Sequence, residues 1–522
     1  MNDSVVQPAV DEKPTRESIE RRLKTNSGLI MAARLVTAGL SLATIPVIVS
    51  RLGVSTFGTW EALVALAGLT ALFQAGISGT LVWRISEAHG RADGAEIRRL
   101  ARVGFGVVWA VFLLIFPFAW MLREPAVRFL GVSGEMQLVA AQMFPIVAAM
   151  TLLNGLSETL EAVVSGSQRT GLVNVIGAAA HTLNYSAAIV MLLLGVGLWS
   201  LVIGQGIAFV ARFSGAWWTS GASHGAVSLV PTLPRRSDVV MARYSGLLIF
   251  GAVTAALRDQ TDKVVLASLA SPTWVGYYGI AARLSALVME IIRFVYLPIL
   301  TAVGALHAMG DWEGVRQMYS RLMAIVSIVT GLIVVTVLGL SDYLMVLWIG
   351  RPIPEVTPLL WWLMAGSASA AMLTGPGTAI CRGAGRPGIE TTYLAVNMVL
   401  NLALTVALVV LIGPIGTAIA TGSTWAVSSI LFLFVLHGRI DLPRDASIRA
   451  AMTAVLAAIL AGVVYWASGL AGLPSGRPTA FLYCMVLGSI GAAAYLGMLL
   501  GVRLLSVKDA LAALDALRRR LA

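Results

Sequence analysis

From residue 27 to residue 503 the chain is a nearly continuous series of apolar runs, each about 21–29 residues long and closed by Gly, Pro or a charge cluster. A run of that length matches one helical crossing of a hydrocarbon core about 30 Å thick, at about 1.5 Å of rise per residue. The runs lie at 27–49, 59–83, 101–122, 138–163, 172–194, 198–220, 240–268, 274–300, 321–341, 356–380, 389–412, 415–436, 450–470 and 479–503. The fold class is therefore an all-α polytopic membrane protein of about 14 transmembrane helices. Pro46, Pro117, Pro145 and Pro376 fall inside runs and predict kinked helices. Only 12% of the 522 residues are charged, half the roughly 25% of soluble proteins, which excludes a large soluble domain.

The net charge of +11 points to membrane topology before nucleic acid, because loop Lys and Arg set orientation. With the N-terminus inside, 25 basic residues fall in cytoplasmic segments, 5 in outer loops (Arg51, Arg123, Arg128, Arg351, Arg477) and 7 within spans. Both termini are thus expected in the cytoplasm, in a cell (inner) membrane. Residues 1–26 hold ten charged side chains and no apolar core, so the tail is expected in the cytoplasm and no cleavable signal peptide is expected. Residues 504–522 carry leucines at near-helical spacing beside Lys508 and Arg518–Arg520, the pattern of an interfacial helix on anionic lipid, with a solvated tail as the alternative. Cys381 and Cys484 have neither metal-ligand nor disulfide-framework spacing.

Two loops recur. The sequence GSQRTG at 166–171 matches GAGRPG at 383–388 as G-x-x-R-x-G, with Asn184 and Asn401 each 18 residues after the first Gly, an offset of 217. An A-x-G-x-x-x-G pattern at 88–94 and 308–314 gives an offset of 220. The chain then divides into an N-lobe at 27–220 (helices 1–6), a cytoplasmic connection at 221–239, a C-lobe at 240–438 (helices 7–12), and helices 13–14 at 450–503. Six spans per lobe is an even number, so the two lobes are pseudo-symmetric about an axis along the membrane normal. That is an architecture alternating-access transporters use.

The stretches SRLGVSTFGTW at 50–60, QAGISG at 74–79, DQTDK at 259–263 and VGYYGIAARL at 275–284 resemble the polysaccharide-transporter branch of the multidrug/oligosaccharidyl-lipid/polysaccharide exporter superfamily. The resemblance implies a flippase in which two six-helix lobes form a V around a cavity. Its implied substrate is a polyprenyl-diphosphate-linked oligosaccharide, moved across the cell membrane for surface polysaccharide biosynthesis. Spans one, two, seven and eight would line the cavity, and fourteen spans favour a lipid flippase over a twelve-span drug exporter. Glycan polymerase and glycosyltransferases are then possible partners.

Seven basic residues lie within or at the ends of spans: Arg34, Arg84, Arg212, Arg258, Lys263, Arg283 and Arg293. Each needs a partner or a wet cavity, at a cost of roughly 3 kcal/mol otherwise. Counted at about 1.5 Å per residue, Arg34, Arg258 and Arg283 come within a few ångströms of one level near the midplane. They are the substrate-binding candidates, facing a cavity between the lobes, because a guanidinium fork matches diphosphate oxygens. The structural alternative is ion pairing, as Arg258 with Asp262 at i+4. Arg84, Arg212 and Arg293 lie nearer the cytoplasmic edge, where long side chains snorkel.

Asp259, Asp262, Glu158 and Glu290 are candidates for H⁺ or Na⁺ coupling, with structural ion pairs as the alternative; Glu161 lies beside Glu158. His181 shares a stripe with Asn174 and Asn184 and reads as a hydrogen-bonded structural histidine, with a proton relay as the alternative. Trp199, Trp217, Trp218, Trp274, Trp348, Trp361 and Trp362 cluster at span ends as interfacial anchors do, although one or two could stack on sugars. The outer connections near 123–137 and 342–355 hold no His. No phosphate-cradling loop, metal cluster or nucleophile–base pair appears, so a membrane-embedded polymerase or ligase is disfavoured and neither enzyme activity nor a cofactor is expected. The alternative function is a cation-coupled multidrug exporter.

Overall fold

The computed structural model describes residues 16–74, 76–224, 228–232, 235, 246–386, 388–502 and 504. The first fifteen residues, about half of the 221–239 connection and the expected interfacial helix after 504 lie outside them. The described residues form helices α1 (Arg16–Thr70), α2 (Ile77–Gly90), α3 (Gly94–Met121), α4 (Arg123–Phe129), α5 (Glu135–Gly166), α6 (Thr170–Leu193), α7 (Trp199–His224) and α8 (Gly246–Leu269). There follow α9 (Pro272–Ala308), α10 (Trp312–Gly339), α11 (Ser341–Trp348), α12 (Val356–Ser369), α13 (Gly375–Gly383), α14 (Gly388–Ile412), α15 (Ile415–Arg439), α16 (Arg444–Ala471) and α17 (Arg477–Gly501). No strand occurs among the described residues. Helix occupies each of the expected runs, and ten helical segments are long and apolar enough to cross a membrane by length and composition.

The helices outlast the apolar runs where a cap holds them. α3 starts seven residues before its run because Asp93 accepts the Glu96 N–H, and α10 starts early because Asp311 accepts the Gly314 N–H at 2.8 Å. Pro46, Pro117 and Pro145 lie inside helices, whereas Pro376 follows a π-helical turn at Ala370–Thr374. α1 holds two arms that meet at Gly53, whose φ of 80° only glycine adopts readily.

Two compact units result, Met1–Gly276 and Tyr277–Ala522. In the first, α2, α3 and α5 bury Leu81, Ile85, Phe105, Leu160 and Val163. In the second, α10, α13, α15 and α16 bury Tyr319, Met323, Ile380, Phe432 and Ala450. Apolar side chains such as Leu113, Met121, Val410 and Phe434 stay exposed, as lipid-facing positions do.

The repeated loops have the same backbone geometry. In the first, Arg169 N–H donates to the Val164 carbonyl (3.2 Å) and Gln168 N–H to Ser165 (3.0 Å), with Gln168 at φ 63°. In the second, Arg386 N–H donates to Cys381 (2.7 Å) and Gly385 N–H to Arg382 (3.2 Å), with Gly385 at φ 70°. Every member is offset by 217. The other loop pair needs a correction. Asp93 N–H donates to Ala88 and Asp311 N–H to Leu306, both at 3.0 Å, with Ala92 (φ 57°) and Gly310 (φ 73°) at the turn. The structural offset is thus 218, and the sequence pattern at 220 set Gly90 against Gly310 where the geometry sets Ala92. The capping Asp, not the glycine spacing, fixes the register.

The same offset of 218 governs a close contact within the first unit. Gly58 lies against the Pro272 carbonyl and Gly276 against the Val54 carbonyl, so α1 and the start of α9 touch backbone to backbone through two equivalent glycines.

Candidate functional site

Span two is broken. Helix α1 ends in a 3₁₀ turn at Ala71–Gln74, and α2 restarts after Gly76 at φ 82°. Gln74 pins the break, because its buried side-chain amide donates to the Leu152 carbonyl of α5 at 2.9 Å. Gly155 makes room for it, since a Cβ there would meet the Gln74 side chain. Broken helices at membrane depth are tolerated where protein or a wet cavity satisfies the freed backbone, and transporters place sites at them.

Helix α8 packs on the second arm of α1 and on this turn. Lys263 Nζ donates to Glu61 Oε2 at 2.5 Å, with side chains 20% and 8% exposed, and one turn away Gln260 packs on Gly68. The same helix carries Asp262, buried, and Arg258, half-buried. Asp259 is on the helix too, but its side chain lies outside the described residues. This strip gives the first unit fixed positive and negative charge beside a helix break, a setting able to hold an anionic headgroup or a cation.

A second network lies between α5 and α7. Arg212 grips Glu161 through two nitrogens at 2.6 and 2.7 Å and donates to Asn154 Oδ1 at 3.1 Å. Asn154 in turn donates to Glu158 Oε1 at 3.3 Å. Glu158 therefore shares its surroundings with one arginine already engaged by Glu161. Arg84 at 3.5 Å and Arg99 at 2.6 Å both meet Glu96.

Of the remaining sequence candidates, Arg34 is half-buried on the first arm of α1, while Arg283 is exposed and Glu290 half-buried on α9 in the second unit. Arg34 and Arg258 belong to the first unit, and Arg283 does not. His181 is exposed and stacks on Tyr185 with ring centroids 6.2 Å apart. Glu61, Gln74 and Asn154 were absent from the sequence candidates. Glu61 is the one acid in the second arm of α1, and applying the depth count to acids as well as bases would have flagged it. No group of three or more metal-ligating side chains occurs among the described residues.

A family model described as polysaccharide biosynthesis protein matches residues 48–356, more than half the chain. Among solved structures, lipid II flippase MurJ in an inward closed conformation superposes with a TM-score of 0.68 at 13% identity, over 91% of this chain and 98% of that one. A multidrug resistance MATE family transporter of the MOP superfamily, inward-facing, gives 0.57 at 14% identity, over 79% and 94%. The Vibrio cholerae MATE transporter VcmN gives 0.56 at 14%, over 81% and 97%. Likeness at such identities carries the fold. The probable multidrug resistance protein NorM of Rhizobium meliloti (strain 1021) is 27% identical over 121 residues, 23% of this chain, which spans about a quarter (26%) of that relative. The family match and the shared fold agree with the resemblance in the sequence motifs, and the chain belongs to the polysaccharide biosynthesis protein family.

Proposed function

We propose that the protein is a flippase that carries a polyprenyl-diphosphate-linked oligosaccharide across the cell membrane by alternating access, for surface polysaccharide biosynthesis. The observation that carries this reading is the polysaccharide-biosynthesis family match over 48–356. The chemistry supports it: a diphosphate crossing the bilayer needs permanent positive charge along its route, and an apolar drug does not. Arg34, Arg258 and Arg283 are assigned to the diphosphate on the depth argument, while Asp259, Asp262, Glu158 and Glu290 are assigned to H⁺ or Na⁺ coupling. The moving bodies are the lobes 27–220 and 240–438, joined by 221–239, with both termini in the cytoplasm.

A cation-coupled multidrug exporter is the second reading, favoured by the 121-residue match to NorM. Complementation of glycan display in a flippase-deficient strain separates the two, using Arg34→Ala, Arg34→Lys, Arg283→Ala and Arg283→Lys at matched expression. Loss of one charged hydrogen bond of about 1.5–3 kcal/mol lowers display roughly ten- to a hundredfold in the alanine variants. Lysine restores charge without the fork and recovers part of the activity. Full display in both alanine variants removes the arginines from the mechanism.

A further inference from the structure

The second unit holds a pocket of about 540 Å³ lined by Asp342, Pro352, Pro354, Thr357, Trp361 and Tyr465, with Trp362 on its rim. Three elements build it: the short helix α11, the first turns of α12, and α16, the thirteenth span. Asp342 ties them together, since Thr357 Oγ1 donates to Oδ1 at 2.6 Å and Tyr465 OH to Oδ2 at 3.1 Å. Trp361 stands edge-to-face on Tyr465, ring centroids 5.5 Å apart. Its indole Nε1–H is buried and has no acceptor among the described residues.

We propose that this pocket is a binding subsite for a neutral sugar ring, at the end of the second unit that the charge distribution places outside the cell. The functional groups are complementary to hydroxyls. Each Asp342 oxygen accepts one protein hydrogen bond and keeps a further lone pair, so the carboxylate draws in donors. A hydroxyl donates to that carboxylate, whereas a phosphate is repelled by it. The Trp and Tyr rings and the proline faces supply the apolar wall against which the C–H face of a pyranose packs. Few polar groups converging in an apolar concavity is the usual make-up of a small-ligand site.

The pocket has no counterpart in the first half of the repeat. At the offset of 218 Glu124 replaces Asp342, at 217 Phe144 and Pro145 replace Trp361 and Trp362, and the repeat contains no equivalent of the helix that carries Tyr465. The thirteenth span thus adds a polar floor that the twelve repeated helices alone do not make. This rests on the flippase reading for its purpose, as a place where sugars already moved outward are held, but the binding itself is independent of transport.

The test is saturation-transfer difference NMR on the purified full chain in detergent, with maltose, cellobiose and N,N′-diacetylchitobiose as probes and tetramethylammonium as the cationic comparison. At least one disaccharide is expected to bind saturably at millimolar concentration. Binding should weaken at least tenfold in Asp342→Asn and Trp361→Phe, and also in Trp362→Ala, a rim change that leaves the buried hydrogen bonds intact. Absence of saturable transfer from all three sugars overturns the proposal, as does preferential binding of tetramethylammonium or unchanged binding in all three variants. Glycan-display complementation by the wild-type chain tests the flippase reading separately. Display without sugar binding defeats only the subsite, and sugar binding without display defeats only the flippase.

Discussion

Replacing Glu61 by Gln removes the acceptor charge from Lys263 while keeping the side-chain shape. The two groups are 2.5 Å apart with side chains 8% and 20% exposed. At that distance two unit charges attract by about 7 kcal/mol with an effective dielectric of about 20. Desolvation of both ions offsets much of this, and breaking one side of a buried pair costs about 3–5 kcal/mol. Because Lys263 keeps a fifth of its side chain exposed, the low end applies, about 3 kcal/mol. For a large domain this lowers Tm by roughly 2 °C per kcal/mol, about 6 °C in all. The assay is thermal unfolding of the detergent-purified protein, followed by fluorescence, for Glu61→Gln, Lys263→Met and the double variant. The double variant leaves no uncompensated charge and should recover at least half of the loss, giving a coupling energy of about 1.5 kcal/mol or more. Two single variants within 1 °C of wild type, or a strictly additive double, would refute the argument that this pair ties span two to span seven.

Gly58→Val should abolish accumulation of folded protein, because its Cβ would enter the Pro272 carbonyl. Gly79→Val, where a Cβ meets open space, serves as the tolerated control, and size-exclusion of a fluorescent fusion reads both. Arg212→Ala strands Glu161, which is 8% exposed, and should cost about 3 kcal/mol, with Glu161→Gln in the same background recovering much of it in the same thermal assay. Reporter fusions after residue 350 and at residue 522 should read outside and inside respectively; the same side at both positions contradicts the topology.

Helix positions were legible because period and length leave few alternatives for such apolar runs. The ends were not, since hydropathy sees the bilayer and not the cap: Asp93 and Asp311 extend α3 and α10 beyond their apolar stretches. The break in span two was also invisible to a search for prolines, because it depends on Gly76 and on Gln74 reaching the Leu152 carbonyl. The repeat was found, one loop in register and the other two residues out, as glycines tolerate neighbouring turn positions and a capping carboxylate does not. Local spacing reaches charge pairs along one helix and misses those between helices. Asp262 was set beside Arg258 at i+4, but Lys263 with Glu61 and Arg212 with Glu161 are pairs across 202 and 51 residues, which no local spacing rule reaches. The short helices α4 and α11 lay in stretches read as plain connections, although Val127, Leu130, Tyr343 and Val346 are buried.

The most direct measurement is translocation by the purified protein in liposomes carrying a short-chain polyprenyl-diphosphate-linked disaccharide with a fluorescent label on the sugar. Dithionite added outside quenches only label in the outer leaflet, so a flippase converts the protected inner fraction into a quenchable one. The account predicts protein-dependent loss of that protection, reduced at least tenfold in Arg34→Ala, with no efflux of ethidium under a Na⁺ or H⁺ gradient. Protection unchanged by the protein, together with gradient-driven ethidium efflux, would contradict it and assign the protein to drug export.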